Sequence, residues 1–153
     1  MSAFLDAALS YAARGWPVLP LAGKIPTTPH GVKDATTDEA TIRGWWTRAP
    51  TANVGIACGT ASGLLVVDVD ARSGGLETIA GYELAPTLTV ETGGGGLHLY
   101  YRRPDVPIVG GKGRFGAGVD CQSDGRYVVA PPSIHPESGQ PYRWAGDGDI
   151  EAM

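Results

Sequence analysis

Cysteine is scarce in this sequence. Only Cys58 and Cys121 are present, with no CxxC pair, which argues against a disulfide framework or a structural zinc site. Cys58 ends an apolar run and reads most simply as a small buried residue. Basic residues are also few. Lys and Arg total 12 against 16 Asp and Glu, a formal charge of −4, so no strong non-specific grip on nucleic acid is expected. The deficit does not exclude a nucleic-acid partner, because bound divalent cations would reverse the sign locally. Three of the acids, Asp147, Asp149 and Glu151, crowd the C-terminal end. No apolar run is long enough to span a membrane. The N-terminus carries Asp6 and no basic region, so it does not read as a secretory signal. The expected location is cytoplasmic, with no membrane partner.

Glycine and proline, by contrast, are plentiful, at 23 and 12 residues, and predict many turns and short elements. The 153 residues, 42% apolar, suit one globular domain spanning 1–153. The stripe of Phe4, Leu5, Ala8, Leu9, Tyr11 and Ala12 predicts a helix over 3–14, stopped by Gly15. Trp16 to Leu21 reads as an edge strand because prolines break it. Lys24 to Lys33 reads as loop. A second helix is expected from Thr36, with Glu39 completing a capping box, through Ile42, Trp45 and Trp46 and ending before Pro50. Strands are expected over 53–58, 64–70, 87–91, 98–102, 106–109, 119–121, 127–130 and 142–144, with a short helix over 76–82. Modest helix and late-clustered strands point to an α+β fold.

The chemistry gathers at the ends of the apolar runs. Asp68 and Asp70 close the run Leu64-Leu65-Val66-Val67. Residues two apart in a strand share a face, so the two carboxylates project together. They repel unless a cation sits between them. Asp120, after Val119, would complete a cluster of three hard oxygen ligands able to hold two Mg²⁺ or Mn²⁺ ions, the arrangement that serves in-line phosphoryl displacement. Solvated acids at a strand end are the simpler reading of the same residues.

His98 follows Gly93 to Gly96 and opens the run Leu99-Tyr100-Tyr101. A backbone without side chains, here at Gly95 and Gly96, can approach an anion, and a phosphate is the natural guest. A flexible hairpin and a core histidine are the simpler readings of each feature alone. Lys24, Lys33, Lys112, Arg114 and Arg126 are candidate phosphate contacts, each otherwise a solvated charge. Lys24 stands out between Gly23 and Ile25-Pro26. His30 and His135 have weaker claims, beside glycine or proline in loops. Trp45 or Trp46 could stack bases, although helical spacing beside Ile42 puts at least one in the core.

Several stretches together resemble a known family. They are Ala12-Ala13-Arg14-Gly15-Trp16-Pro17-Val18, Gly23-Lys24 with Thr28-Pro29-His30-Gly31, Lys33-Asp34-Ala35-Thr36-Thr37 and Trp45-Trp46. Asn53-Val54-Gly55-Ile56, Val67-Asp68-Val69-Asp70 and Gly95-Gly96-Leu97-His98 follow. Gly118-Val119-Asp120 and Gly125-Arg126-Tyr127 through Pro131-Pro132-Ser133 complete the set. In order and spacing the chain resembles the N-terminal prim-pol domain of bifunctional DNA primase/polymerases, in the archaeo-eukaryotic primase superfamily.

The resemblance implies an RRM-like catalytic sheet packed with an N-terminal αβ module. It implies that Asp68, Asp70 and Asp120 bind the catalytic metals and that His98 contacts the triphosphate of the incoming nucleotide. Implied partners are a single-stranded DNA template, a primer and nucleoside triphosphates. Relatives carry a helicase or helical accessory domain beyond the catalytic part, which makes this chain, on that expectation, the N-terminal part of a longer protein. It departs from the family pattern at Gly94, where serine is frequent, at Gln122, where arginine is common, and at Arg126, where glycine is usual.

The sequence reading is therefore a template-dependent DNA primase/polymerase domain, a nucleotidyltransferase. The alternatives are a metal-dependent nuclease or phosphohydrolase using the same acids, and a non-catalytic nucleic-acid-binding module.

Overall fold

Alternation along one strand organises the molecule, and that strand carries the first acid. The computed structural model describes residues 2–104, 111–145 and 151–152. In chain order its elements are α1 (Ala3–Ala13), β1 (Val18–Ala22), β2 (Ile25–Pro26), α2 (Glu39–Arg48), β3 (Asn53–Ala57), β4 (Leu64–Val69) and α3 (Gly75–Ala80). They continue with β5 (Leu88–Glu91), β6 (Leu97–Arg102), β7 (Gly111–Gly116), β8 (Val119–Gln122), β9 (Tyr127–Ala130), β10 (Arg143–Ala145) and β11 (Glu151–Ala152). Short 3-10 turns occupy Gly31–Asp34 and Ala71–Ser73. The strand expected over 106–109 lies outside the described residues.

The strands form two sheets. The smaller runs β2-β1-β3-β9, and the larger runs β10-β5-β6-β4-β8-β7, with β11 pairing parallel to the end of β6. All other pairings are antiparallel, so the fold is α+β, as the sequence pattern predicts.

Strand β4 is central in the larger sheet, and both of its faces are covered, which is why it reads as a continuous apolar run. Leu64 and Val66 face a core shared with Tyr100, Val90, the smaller sheet and helices α1 and α2. Leu65, Val67 and Val69 face the opposite way, with Tyr101, Val119, Cys121 and Ile79 of α3. Asp68 continues the first face at the point where the core gives way to a cleft.

Rings weld the N-terminal elements to the larger sheet. Tyr100 packs on Trp16 and Trp144 with centroids 6.0 and 5.3 Å away, and Tyr11 lies 6.0 Å from Trp16. Offset and edge-on contacts of this kind add to the area they bury. Trp46 is fully buried and donates to the Ala52 carbonyl at 2.9 Å, so it is a core residue; Trp45 packs half-buried against the same core.

Three local expectations are corrected. Strand β1 is internal to its sheet, between β2 and β3. Pro20 is tolerated there because its backbone faces away from β3: its carbonyl accepts from Thr27 N at 3.1 Å, on the side where β2 is only two residues long. The cap of α2 is Asp38, whose carboxylate accepts from Thr41 N at 3.0 Å. Thr36 is held instead in a bridge to Val18, so the expected capping box does not form. The stretch 24–33, expected as loop, contains β2 and the start of the 3-10 turn Gly31–Asp34, and the glycine-rich stretch around Lys112 and Arg114, for which no element was expected, forms β7.

Candidate active site

Register brings the site together. β4 lies between β6 and β8, and Asp68 stands directly opposite His98 on one side and Asp120 on the other. Directly opposed residues share a face at about 4.5–5.5 Å between Cβ atoms. Three polar side chains, each at an expected position, thus form a row across three adjacent strands. Asp70 follows the end of β4 and caps the 3-10 turn, its carboxylate accepting from Arg72 N at 3.0 Å and Ser73 Oγ at 3.2 Å. Its own N–H reaches the Gly118 carbonyl at 2.7 Å, tying the end of β4 to the turn before Asp120.

All four residues line a cleft of about 390 Å³, within the ordinary range for small-molecule sites. Lys24, Arg72 and Arg126 line it too, as do Gln122, His135 and Tyr142. Lys33 and His30 do not line it; His30 pairs with Asp34 at 3.3 Å on the surface. The side chains of Lys112 and Arg114 lie outside the described residues.

Asp68 is not left to repulsion. Burial alone would raise its pKa, but hydrogen bonds from His98 and Gln122 and the charge of Lys24 outweigh burial and hold the carboxyl below its usual range. His98 Nε2 lies 3.3 Å from Asp68 Oδ1, and the ring is buried. Its Nδ1 is enclosed without a partner among the described residues. Gln122 is thus a neutral donor to Asp68.

The glycine run reads differently in three dimensions. A Cβ on Gly93 would stand 2.4 Å from His135 Cβ, and one on Gly96 would stand 2.1 Å from the Val69 carbonyl. These glycines are demanded by close packing between the end of β4 and the loop after β9. Thr92 closes the hairpin: its carbonyl accepts from Gly95 N at 3.1 Å and its hydroxyl from Gly96 N at 3.0 Å. The two N–H groups expected to face an anion are therefore already satisfied. Gly94 and Gly96 line the cleft, whereas Gly95 lies on the other side of the loop.

Sequence reasoning missed the wall opposite β6. Asn53 Nδ2 donates to the carbonyls of Gly23 and Ile134 at 2.9 and 2.8 Å, and its Oδ1 accepts from Ile134 N at 3.0 Å. One buried amide thereby positions both the Lys24 turn and the His135 loop. Partners 30 and 81 residues away leave no local signal in a sequence. Asn53→Ala would strand these groups. It is expected to lower stability by about 1–3 kcal/mol, read by thermal melting.

An acid-lined cleft that also holds Lys24, Arg72 and Arg126 thus stands at one end of an antiparallel α+β sheet. Residues 8–153 match the family model of the bifunctional DNA primase/polymerase N-terminal domain. The chain belongs to this family. Its function is accordingly of the DNA primase/polymerase type, that of a nucleotidyltransferase-like enzyme acting on DNA and nucleotides, in a family that is generally metal-dependent. A comparison with curated proteins found no match. Among the described residues no helix is long and apolar enough to cross a membrane.

Proposed function

We propose that the cleft is a template-dependent nucleotidyl transfer site. The observation that carries this reading is the row His98, Asp68, Asp120 across β6, β4 and β8. The oxygen of a 3′-hydroxyl attacks the α-phosphorus of a nucleoside triphosphate and gives up its proton to solvent; the new P–O bond forms, the bond to the β-phosphate breaks, and pyrophosphate leaves with the primer one nucleotide longer.

Among the described residues no three acid, histidine or cysteine side chains converge as a ready ion site, but the donor chemistry fits hard cations. Asp68, Asp70 and Asp120 would hold Mg²⁺ or Mn²⁺, with Asp70 exchanging its contacts to Arg72 N and Ser73 for the ion. When bound, the ions supply charge neutralisation and Lewis acidity at the transferred phosphate. Lys24, Arg72 and Arg126 provide fixed positive charge for the phosphate tail. His98 orients Asp68 through Nε2, and its long 3.3 Å contact can be exchanged for a phosphate oxygen. Template grip comes mainly from elsewhere, in keeping with a charge of −4, and a helical accessory domain or helicase is the natural source.

The test is titration with a non-hydrolysable deoxynucleoside triphosphate, with and without Mg²⁺. Metal-dependent binding is expected, and His98→Ala should weaken it by about 1.5–3 kcal/mol. Absence of triphosphate binding, with metal-dependent cleavage of DNA instead, would move the site to the nuclease class.

A further inference from the structure

The imidazole that faces the cleft with an open donor is not His98. We propose that His135 binds the phosphate tail of the nucleotide through Nε2–H, beside Gly94. This rests on the nucleotide reading above and assigns that site a second histidine.

Its tautomer is fixed by the backbone. His135 Nδ1 lies 3.2 Å from both Glu137 N and Ser138 N, so it accepts and carries no proton. The proton of the neutral ring is then on Nε2. The ring is buried, and burial followed by the charge of Lys24 lowers its pKa, keeping it neutral. Tyr142 stacks on it with centroids 5.9 Å apart and holds its plane.

Nε2 has no partner among the described residues. It points to Gly94, where an added Cβ would lie 3.2 Å away. The Gly94 N–H is likewise without a partner among the described residues. Any side chain at 94 would occupy this space; glycine leaves the imidazole open to a ligand. His98 Nε2, by contrast, is engaged with Asp68. The ligand is an anion because Lys24 lines the same cleft and acts on His135 electrostatically. Glu137 is the opposing charge, and Arg72 neutralises it at 3.0 Å.

Two substitutions separate binding from loop support. His135→Asn keeps an acceptor where Nδ1 was and removes the distal donor. His135→Gln keeps a distal donor and removes the acceptor. The probe is a non-hydrolysable deoxynucleoside triphosphate with Mg²⁺, compared with the nucleoside, alongside thermal melting. His135→Asn is expected to weaken triphosphate binding about tenfold or more, leave the nucleoside unaffected and melt like wild type. His135→Gln is expected to bind better than His135→Asn while melting lower. Should His135→Asn fail to fold, Gly94→Ala decides, since its methyl group covers Nε2 and should cause the same loss. Wild-type affinity in a folded His135→Asn or in Gly94→Ala, or a loss in His135→Gln as large as in His135→Asn, would overturn the proposal. A wild-type protein that binds no triphosphate would remove the nucleotide reading itself, and is seen before any variant is made.

Discussion

Asp68→Asn is expected to reduce nucleotide incorporation to below about one hundredth of wild type, more than the loss typical of a residue that only supports a metal ligand. The substitution keeps the shape of the side chain and removes its charge between His98 and Asp120. Stability should change as well, in a direction that repulsion between acids alone would not suggest. In the folded protein the Asp68 carboxyl is held below its ordinary value near 3.8, because its partners outweigh burial. A depressed folded pKa contributes stability above that ordinary value and loses it as the pH falls toward the folded one. Asp68→Asn should therefore melt lower than wild type at neutral pH without metal, and the difference should shrink in acid. Incorporation assays and melting at several pH values check both statements. A variant that incorporates normally with saturating Mg²⁺ or Mn²⁺ would remove Asp68 from the metal set.

Gly118→Ala is expected to cost about 2–3 kcal/mol of stability and most of the activity, although residue 118 carries no functional group. Gly118 has φ +77°, and a Cβ there would stand 2.5 Å from Gly75 N and 2.7 Å from the Ser73 carbonyl. Both neighbours are backbone and cannot swing aside. The same residue accepts from Asp70 N at 2.7 Å, so displacing it moves the turn between Asp70 and Asp120. Gly63→Ala is the control: its φ is +76°, but nothing lies within 4 Å. It should cost only the backbone strain and leave activity intact. Equal melting temperatures for the two variants would show that the contact with Gly75 does not matter.

These cases show what could be read in the sequence. Asp68, Asp120 and His98 were legible because β4, β6 and β8 are buried strands, where a polar residue at the end of an apolar run stands out. The α+β class and most elements were legible for the same reason, from periodicity. Strand β7 was not, since glycine and lysine mask its period. The internal place of β1 was hidden because a proline signals an edge unless its missing donor faces a gap. The glycine run looked like freedom and is crowding, a distinction that depends on neighbours far along the chain. His135 stood out only weakly, and the wall it makes with Asn53 and Tyr142 was hidden because its hydrogen bonds and ring contacts join residues with no shared period.

The most direct test of the central claim is primer extension on a single-stranded DNA template with labelled nucleotides and Mg²⁺ or Mn²⁺. The predicted result is metal-dependent incorporation by the wild-type chain, templated by sequence, and its loss in both Asp68→Asn and Asp120→Asn. Incorporation that persists in either variant would contradict the account, as would a folded wild-type chain that binds nucleotide and metal yet adds nothing to the primer.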